Sequence, residues 1–290
     1  MRTTISSGGL EATIDSFGAQ LVSLVLDGRE YLWQGDGRWW SGQAPVLFPI
    51  VGVLRDGHAM SAQGSVSLRR HGLARDYEHA LIGQTPTSLS YKLVSNEETL
   101  ALYPYAFALR MGYALEDGAL VQTFEVENTG DAEMPFVVGG HPAFNAPLPG
   151  CEGAFEDHVL SFAAPWNCTS PWMDAETGLI DSSKSLTLSE GSDVLPLSRG
   201  LFAHDTLVLE DVPGSVVTLE GPSGHGVELA FEGMKYLGIW SPGDAPFVAV
   251  EPWVGTATRL DEDDMFEHKA NMQFAAPGEK RRFAFSMRPF

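Results

Sequence analysis

The chain has 290 residues, 44% of them hydrophobic, with 31 Gly and 18 Pro spread throughout, the composition of a turn-rich globular protein. Its formal net charge of −20 disfavours nucleic acid and anionic membranes as partners and is easier to reconcile with a neutral small molecule. No apolar run is long enough to span a bilayer and the polar start, residues 1–9, lacks a signal-peptide core, so no membrane partner and a cytoplasmic location are expected.

In chain order, residues 18–26 read as a strand, Asp27-Gly28 as a tight turn and 30–33 as its return. Segments 88–95 and 99–103 read as strands about a turn at Asn96-Glu97. Segments 107–115 and 120–127 flank Asp117-Gly118, and 135–138 is an apolar strand. Stretches 148–157 and 166–185 read as long loops that could line a site. Strands follow at 215–220 and 226–231, then at 236–241 and 247–251, and 282–287 closes the chain. Helical periodicity is confined to 264–271, where Asp264 is a candidate cap. Strands at this spacing, with no low-complexity linker, predict an all-β sandwich or barrel, residues 1–290 forming one domain.

Four stretches concentrate polar and special-geometry residues: Leu47-Phe48-Pro49-Ile50-Val51-Gly52 with Arg55 beyond it, His71-Gly72-Leu73-Ala74-Arg75, Gly140-His141-Pro142-Ala143-Phe144, and Glu251-Pro252-Trp253. His141 and Glu251 each end an apolar run and precede a proline, which predicts strand ends at an open rim. Rigidly held groups there suit general acid–base chemistry, where partial desolvation brings pKa values near neutrality. The alternatives are a core histidine bonded to backbone and a strand-end carboxylate paired with an arginine. Trp33, Trp39, Trp40, Trp240 and Trp253 interleave with these groups, a combination that suits a sugar and equally the core of a sandwich. The basic clusters are Arg69, Arg70 and Arg75, and Lys280 to Arg282, the latter read as the solvated start of the last strand. Cys151 and Cys168 are expected as reduced thiols, without disulfide or metal-ligand spacing.

These four stretches, in this order, resemble the aldose 1-epimerase (galactose mutarotase) family, and its bacterial mutarotase-like branch most. The resemblance spans nearly the whole chain and implies a large antiparallel β-supersandwich with a cleft on its concave face, acting on a sugar with no cofactor and no metal. It implies that His141 protonates the ring oxygen, Glu251 takes the proton of the C1 hydroxyl, His71 hydrogen-bonds the sugar and Asp205 holds sugar hydroxyls. Arg75, Arg55 and Trp240 are further candidate substrate contacts. Two departures stand out. Val53 lies where relatives carry an arginine, and Arg55, ~7 Å along a strand, is the nearest replacement. After Gly255, Thr256-Ala257-Thr258-Arg259 contains no aspartate where relatives have one.

Three other readings remain. A hexose 6-phosphate mutarotase would use Arg55, Arg70 and Arg75 at the cleft rim. A binding protein of this architecture would need no acid opposite a base. A metal site of His71, His141 and Glu251 is disfavoured because His-x-His spacing is missing and Pro142 restricts the backbone.

Overall fold

The computed structural model describes residues 1–290 and places antiparallel strands along the whole chain. Period-2 burial builds them. Ala119–Asn128 alternates buried and half-buried residues, so one face lies on a core. It is joined to Phe107–Glu116 by Asp117-Gly118, both at positive φ, the backbone hand that suits a two-residue hairpin turn. Asp27-Gly28 turns Gln20–Leu26 into Arg29–Glu30 in the same way.

Two large sheets result. The nine-stranded one runs from Ile180–Pro196 through Val159–Met173, Val216–Glu220, Gly226–Ala230 and Lys280–Pro289 to Ala119–Asn128, Phe107–Glu116, Ser88–Val94 and Ala80–Gln84. The six-stranded one contains Leu207–Glu210, Tyr236–Trp240, Phe247–Trp253, Gly139–Gly140 and Val46–Leu47, with Ala143–Asn145 also paired to Phe247–Trp253. A four-stranded sheet of the first 30 residues packs alongside. A contiguous cluster of 71 buried apolar residues draws on all three sheets, which makes the molecule an all-β sandwich with few short helices. Phe247–Trp253 is buried at every residue. Val248 and Val250 face the main core, whereas Phe247 and Ala249 join a smaller aromatic cluster with Trp33 on the other face. No helix is long and apolar enough to cross a membrane.

Four local expectations are corrected. Segment 99–103 is not a strand: Glu97–Leu102 is helical, because Asn96 caps it. The Asn96 side chain accepts from Thr99 N–H (2.9 Å) and Thr99 Oγ1 accepts from Asn96 N–H (2.8 Å), a reciprocal cap that outweighs the β preference of Thr99. The loop expected over 166–185 is instead a hairpin of Val159–Met173 and Ile180–Pro196, whose register shifts at four places and so hides the alternation. Only 174–179 turn. The helix expected over 264–271 shrinks to one 3₁₀ turn, Phe266–His268, and Asp264 does not cap it. Finally, Glu251 does not end its strand, which runs on to Trp253 with Pro252 opposite Leu237.

Candidate active site

Pro252 is tolerated in mid-sheet for a reason that builds the site. Val250 N–H donates to Pro142 O (3.0 Å) and Val254 N–H to Val138 O (3.1 Å). The N–H that Pro252 lacks therefore falls on the same side, opposite the break at His141-Pro142 between Gly139–Gly140 and Ala143–Asn145. Two prolines thus meet at one gap, with His141 on one lip and Glu251 on the other. Gly139 and Gly140 set the approach: a Cβ at Gly139 would lie 2.6 Å from Trp253 and one at Gly140 2.5 Å from Phe285. Across the sheet, Glu251 faces Gly238, and the Trp253 indole fills the space a Cβ on that glycine would need.

His141 Nε2 and Glu251 Oε1 are 3.3 Å apart, at 6% and 1% exposure. The expected rim positions are thus buried ones that open into a cavity of about 250 Å³. Burial pushes the His141 imidazolium down to about 3, its own backbone partly offsetting this and Arg75 and Arg70 adding to it. Burial likewise pushes Glu251 well above the usual carboxylate range. The Trp253 indole and Arg70 act against that rise, and Asp205 adds to it. Both shifts disfavour charge, which favours a neutral imidazole beside a protonated carboxyl, a pair with one proton to transfer. Neither Glu251 Oε2 nor Trp253 Nε1 has a partner of good hydrogen-bond geometry, although the indole lies close enough to favour the carboxylate. His141 Nδ1 is also unpartnered. Its ring is held by packing instead, stacked on Trp40 (4.8 Å, 26°) with the edges of Trp240 (5.9 Å) and His71 (5.4 Å) against it.

His71 enters from a strained turn, its φ at +68° and that of Gly72 at +78°. Only glycine fits at 72, where a Cβ would strike Phe48 O. His71 N–H donates to Gly52 O (2.6 Å), and Gly52 N–H donates to His71 Nδ1 (3.2 Å). The ring proton therefore sits on Nε2, and burial keeps the imidazole neutral, its pKa well below the ordinary range. Gly52 in turn lets the chain pack on Ala257, whose side chain leaves no room for a Cβ there. This ties the first two motifs to the segment after Trp253.

The same cavity is lined by Asp205, Arg75 and Trp240, so six of the seven expected site residues come together. Asp205, at φ +64°, faces Arg70 at 3.9 Å. Arg75 makes no ion pair, and burial lowers its pKa. The seventh, Arg55, is not brought to the cavity. Its Nε donates to both carboxylate oxygens of Asp264 (3.0 and 2.9 Å) and its Nη2 to the carbonyls of Arg259 (3.2 Å) and Leu260 (3.1 Å), which fixes the loop below the site. Val53 packs under the hairpin tip at Gly178, next to Arg70, so Arg70 stands nearest the place of the absent arginine. Thr258 accepts a hydrogen bond from the buried Lys269 (2.6 Å), which also pairs with Glu262 (3.5 Å). His71, His141 and Glu251 are not arranged to hold a metal ion. The cavity also uses Trp40, Met173 and Thr206, which the sequence did not single out for the site. The only signal for Trp40 was its place in an aromatic run. For Met173 it was its place in the 166–185 stretch, read as one that could line a site.

A family model described as aldose 1-epimerase matches residues 1–288. The chromosomal and plasmid LacX proteins of Lactococcus lactis subsp. lactis are each 36% identical over 278 residues, 92% of either chain. A galactose mutarotase related enzyme from Lactobacillus acidophilus superposes with a TM-score of 0.93 at 32% identity, covering 100% of this chain and 97% of that one. A galactose mutarotase-like protein from Lactobacillus casei gives 0.91 at 28% identity, with both chains covered completely. The chain belongs to the aldose 1-epimerase family.

Proposed function

We propose that this protein interconverts the α and β anomers of a free aldose, with His141 and Glu251 as the acid–base pair. The observation that carries the reading is the 3.3 Å contact between two buried, oppositely shifted titratable groups in a cavity the size of one sugar ring. The ring oxygen and the C1 hydroxyl of a hemiacetal share one carbon, so groups this close can address one oxygen each. One group takes the hydroxyl proton while the other protonates the ring oxygen. The ring C–O bond breaks, the C1–C2 bond turns, and the same two transfers run backwards to close on the other face. No electron is gained or lost, and the pair ends with the proton it began with. His71 Nε2–H, Asp205 and Arg70 would hold hydroxyls, and Trp40 and Trp240 would pack on the C–H faces.

The test is anomer exchange followed by NMR. Glu251→Gln is expected to lower turnover at least ~100-fold with folding retained, the magnitude typical of a group that transfers a proton in the reaction. Near-normal exchange in that variant would sink the assignment, and normal sugar binding by a protein with no rate above buffer would favour a binding role. A second reading, a hexose 6-phosphate as substrate, is favoured by one observation: Arg75, at the cavity, has no carboxylate partner. Comparing hexose with hexose 6-phosphate in wild type and Arg75→Ala separates the two.

A further inference from the structure

Two residues of the cavity wall each follow an aromatic residue that does not line the cavity: Met173 follows Trp172, and Asp205 follows His204. The Trp172 and His204 rings are stacked, their centroids 3.7 Å apart and their planes 15° from parallel, and both residues are half-buried. Trp172 Nε1 is buried without a hydrogen-bond partner, so the indole acts as a packing surface and not as a donor.

The stack joins segments that strand pairing leaves loosely coupled. Just behind Met173 the hairpin register breaks: Pro171 pairs with Ser185 but Trp172 with Asp181, so residues 182–184 have no counterpart on the other strand. Asp181 gathers the surplus, accepting from Ser183 N–H (3.0 Å) and pairing with Lys184 (2.8 Å), whose ammonium lies 5.4 Å from the Trp172 ring. Register in the rest of the hairpin therefore does not dictate where the tip, residues 172–181, sits. Its second strand is tied to the body by backbone bonds, Ile180 N–H to Thr258 O (2.9 Å) and Leu260 N–H to Ile180 O (2.9 Å). Its first strand meets the body through the ring stack. His204 sits in a tight turn, with Asp205 at φ +64° and Asp205 N–H donating to Phe202 O (3.2 Å). The two rings thus hold the tip against this turn at the point where Met173 and Asp205 enter the cavity.

We propose that the Trp172–His204 stack clamps the hairpin tip onto the cavity, which makes both of them positioning residues that set how tightly a sugar is held between Met173 and Asp205. This rests on the anomerising reading of the cavity. Met173 and Asp205 transfer no proton in that reading, so loosening them acts on KM and spares kcat. The experiment follows hydrogen exchange of residues 174–179 by mass spectrometry, and anomer exchange of D-glucose and D-galactose by NMR, in wild type, His204→Ala, His204→Phe and Trp172→Leu. In His204→Ala the tip amides are expected to exchange about fivefold faster and KM to rise about fivefold, the scale of one aromatic pair, with kcat within about twofold. His204→Phe, which keeps a ring on the indole, restores both. Trp172→Leu reproduces the loss, and the double variant with His204→Ala goes no further, because the rings act as a unit. Unchanged tip exchange, an unchanged KM, a loss that His204→Phe does not restore, or effects that add in the double variant overturns the proposal. Should wild type exchange neither sugar, the anomerising reading fails and hydrogen exchange alone decides the clamp. Faster tip exchange in His204→Ala that His204→Phe reverses keeps it, and equal exchange removes it.

Discussion

Burial moves His141 and Glu251 in opposite directions on the pH scale, and the proposed acid–base role requires that the pair hold one proton. Adding a second leaves no base, and removing the one leaves no acid. The sign follows from the shifts. His141 is lowered to about 3, so kcat/KM for anomer exchange should persist well below the ordinary imidazole range. Glu251 is raised, so the rate should fall on the alkaline side as its carboxyl ionises. An acid limb centred near 6.5, imidazole's unperturbed value, would contradict this account. Trp253 sharpens the test. Its indole opposes the rise of Glu251, so Trp253→Phe should move the alkaline limb to higher pH. The same variant should lower kcat with KM little changed, because the indole no longer opposes protonation of Glu251. A change in KM alone would make Trp253 a packing residue.

At the scale of elements, the turns were the legible part. Asp27-Gly28 and Asp117-Gly118 announce hairpins by residues that tolerate positive φ, and both pairs adopt it there. The failures have two causes. The Asn96 cap is local, made with Thr99 three residues on, whereas the shifting register of the hairpin Val159–Met173 with Ile180–Pro196 and the single turn near Asp264 depend on pairing with other segments. Arg55 shows the same limit. Its spacing from Val53 made it a plausible sugar ligand, but its guanidinium is taken up by Asp264 and by backbone carbonyls 204 and 205 residues away. Arg55→Ala should therefore lower stability by ~1–2 kcal/mol in denaturant titration, discounted for partial exposure, and leave anomer exchange nearly unchanged. A large rise in KM with unchanged stability would return Arg55 to the sugar.

For the whole molecule, the sequence by itself determined the all-β class and the motifs, because alternation, turn dipeptides and residue type are local properties. His141 and Glu251 stood out as candidates because each precedes a proline after an apolar run, and the resemblance to the family is what named them as a pair. Tertiary structure alone decided how the pair is used. It brought two prolines to one gap in the sheet, so that His141 and Glu251 touch where strand pairing is broken. It buried them rather than leaving them at a rim, and burial is what sets their proton affinities. It also supplied Trp40 and Met173 to the cavity from chain segments far apart in sequence. Proton affinity, close approach and cavity walls depend on distances between remote residues, and those distances exist only once the sheets have packed.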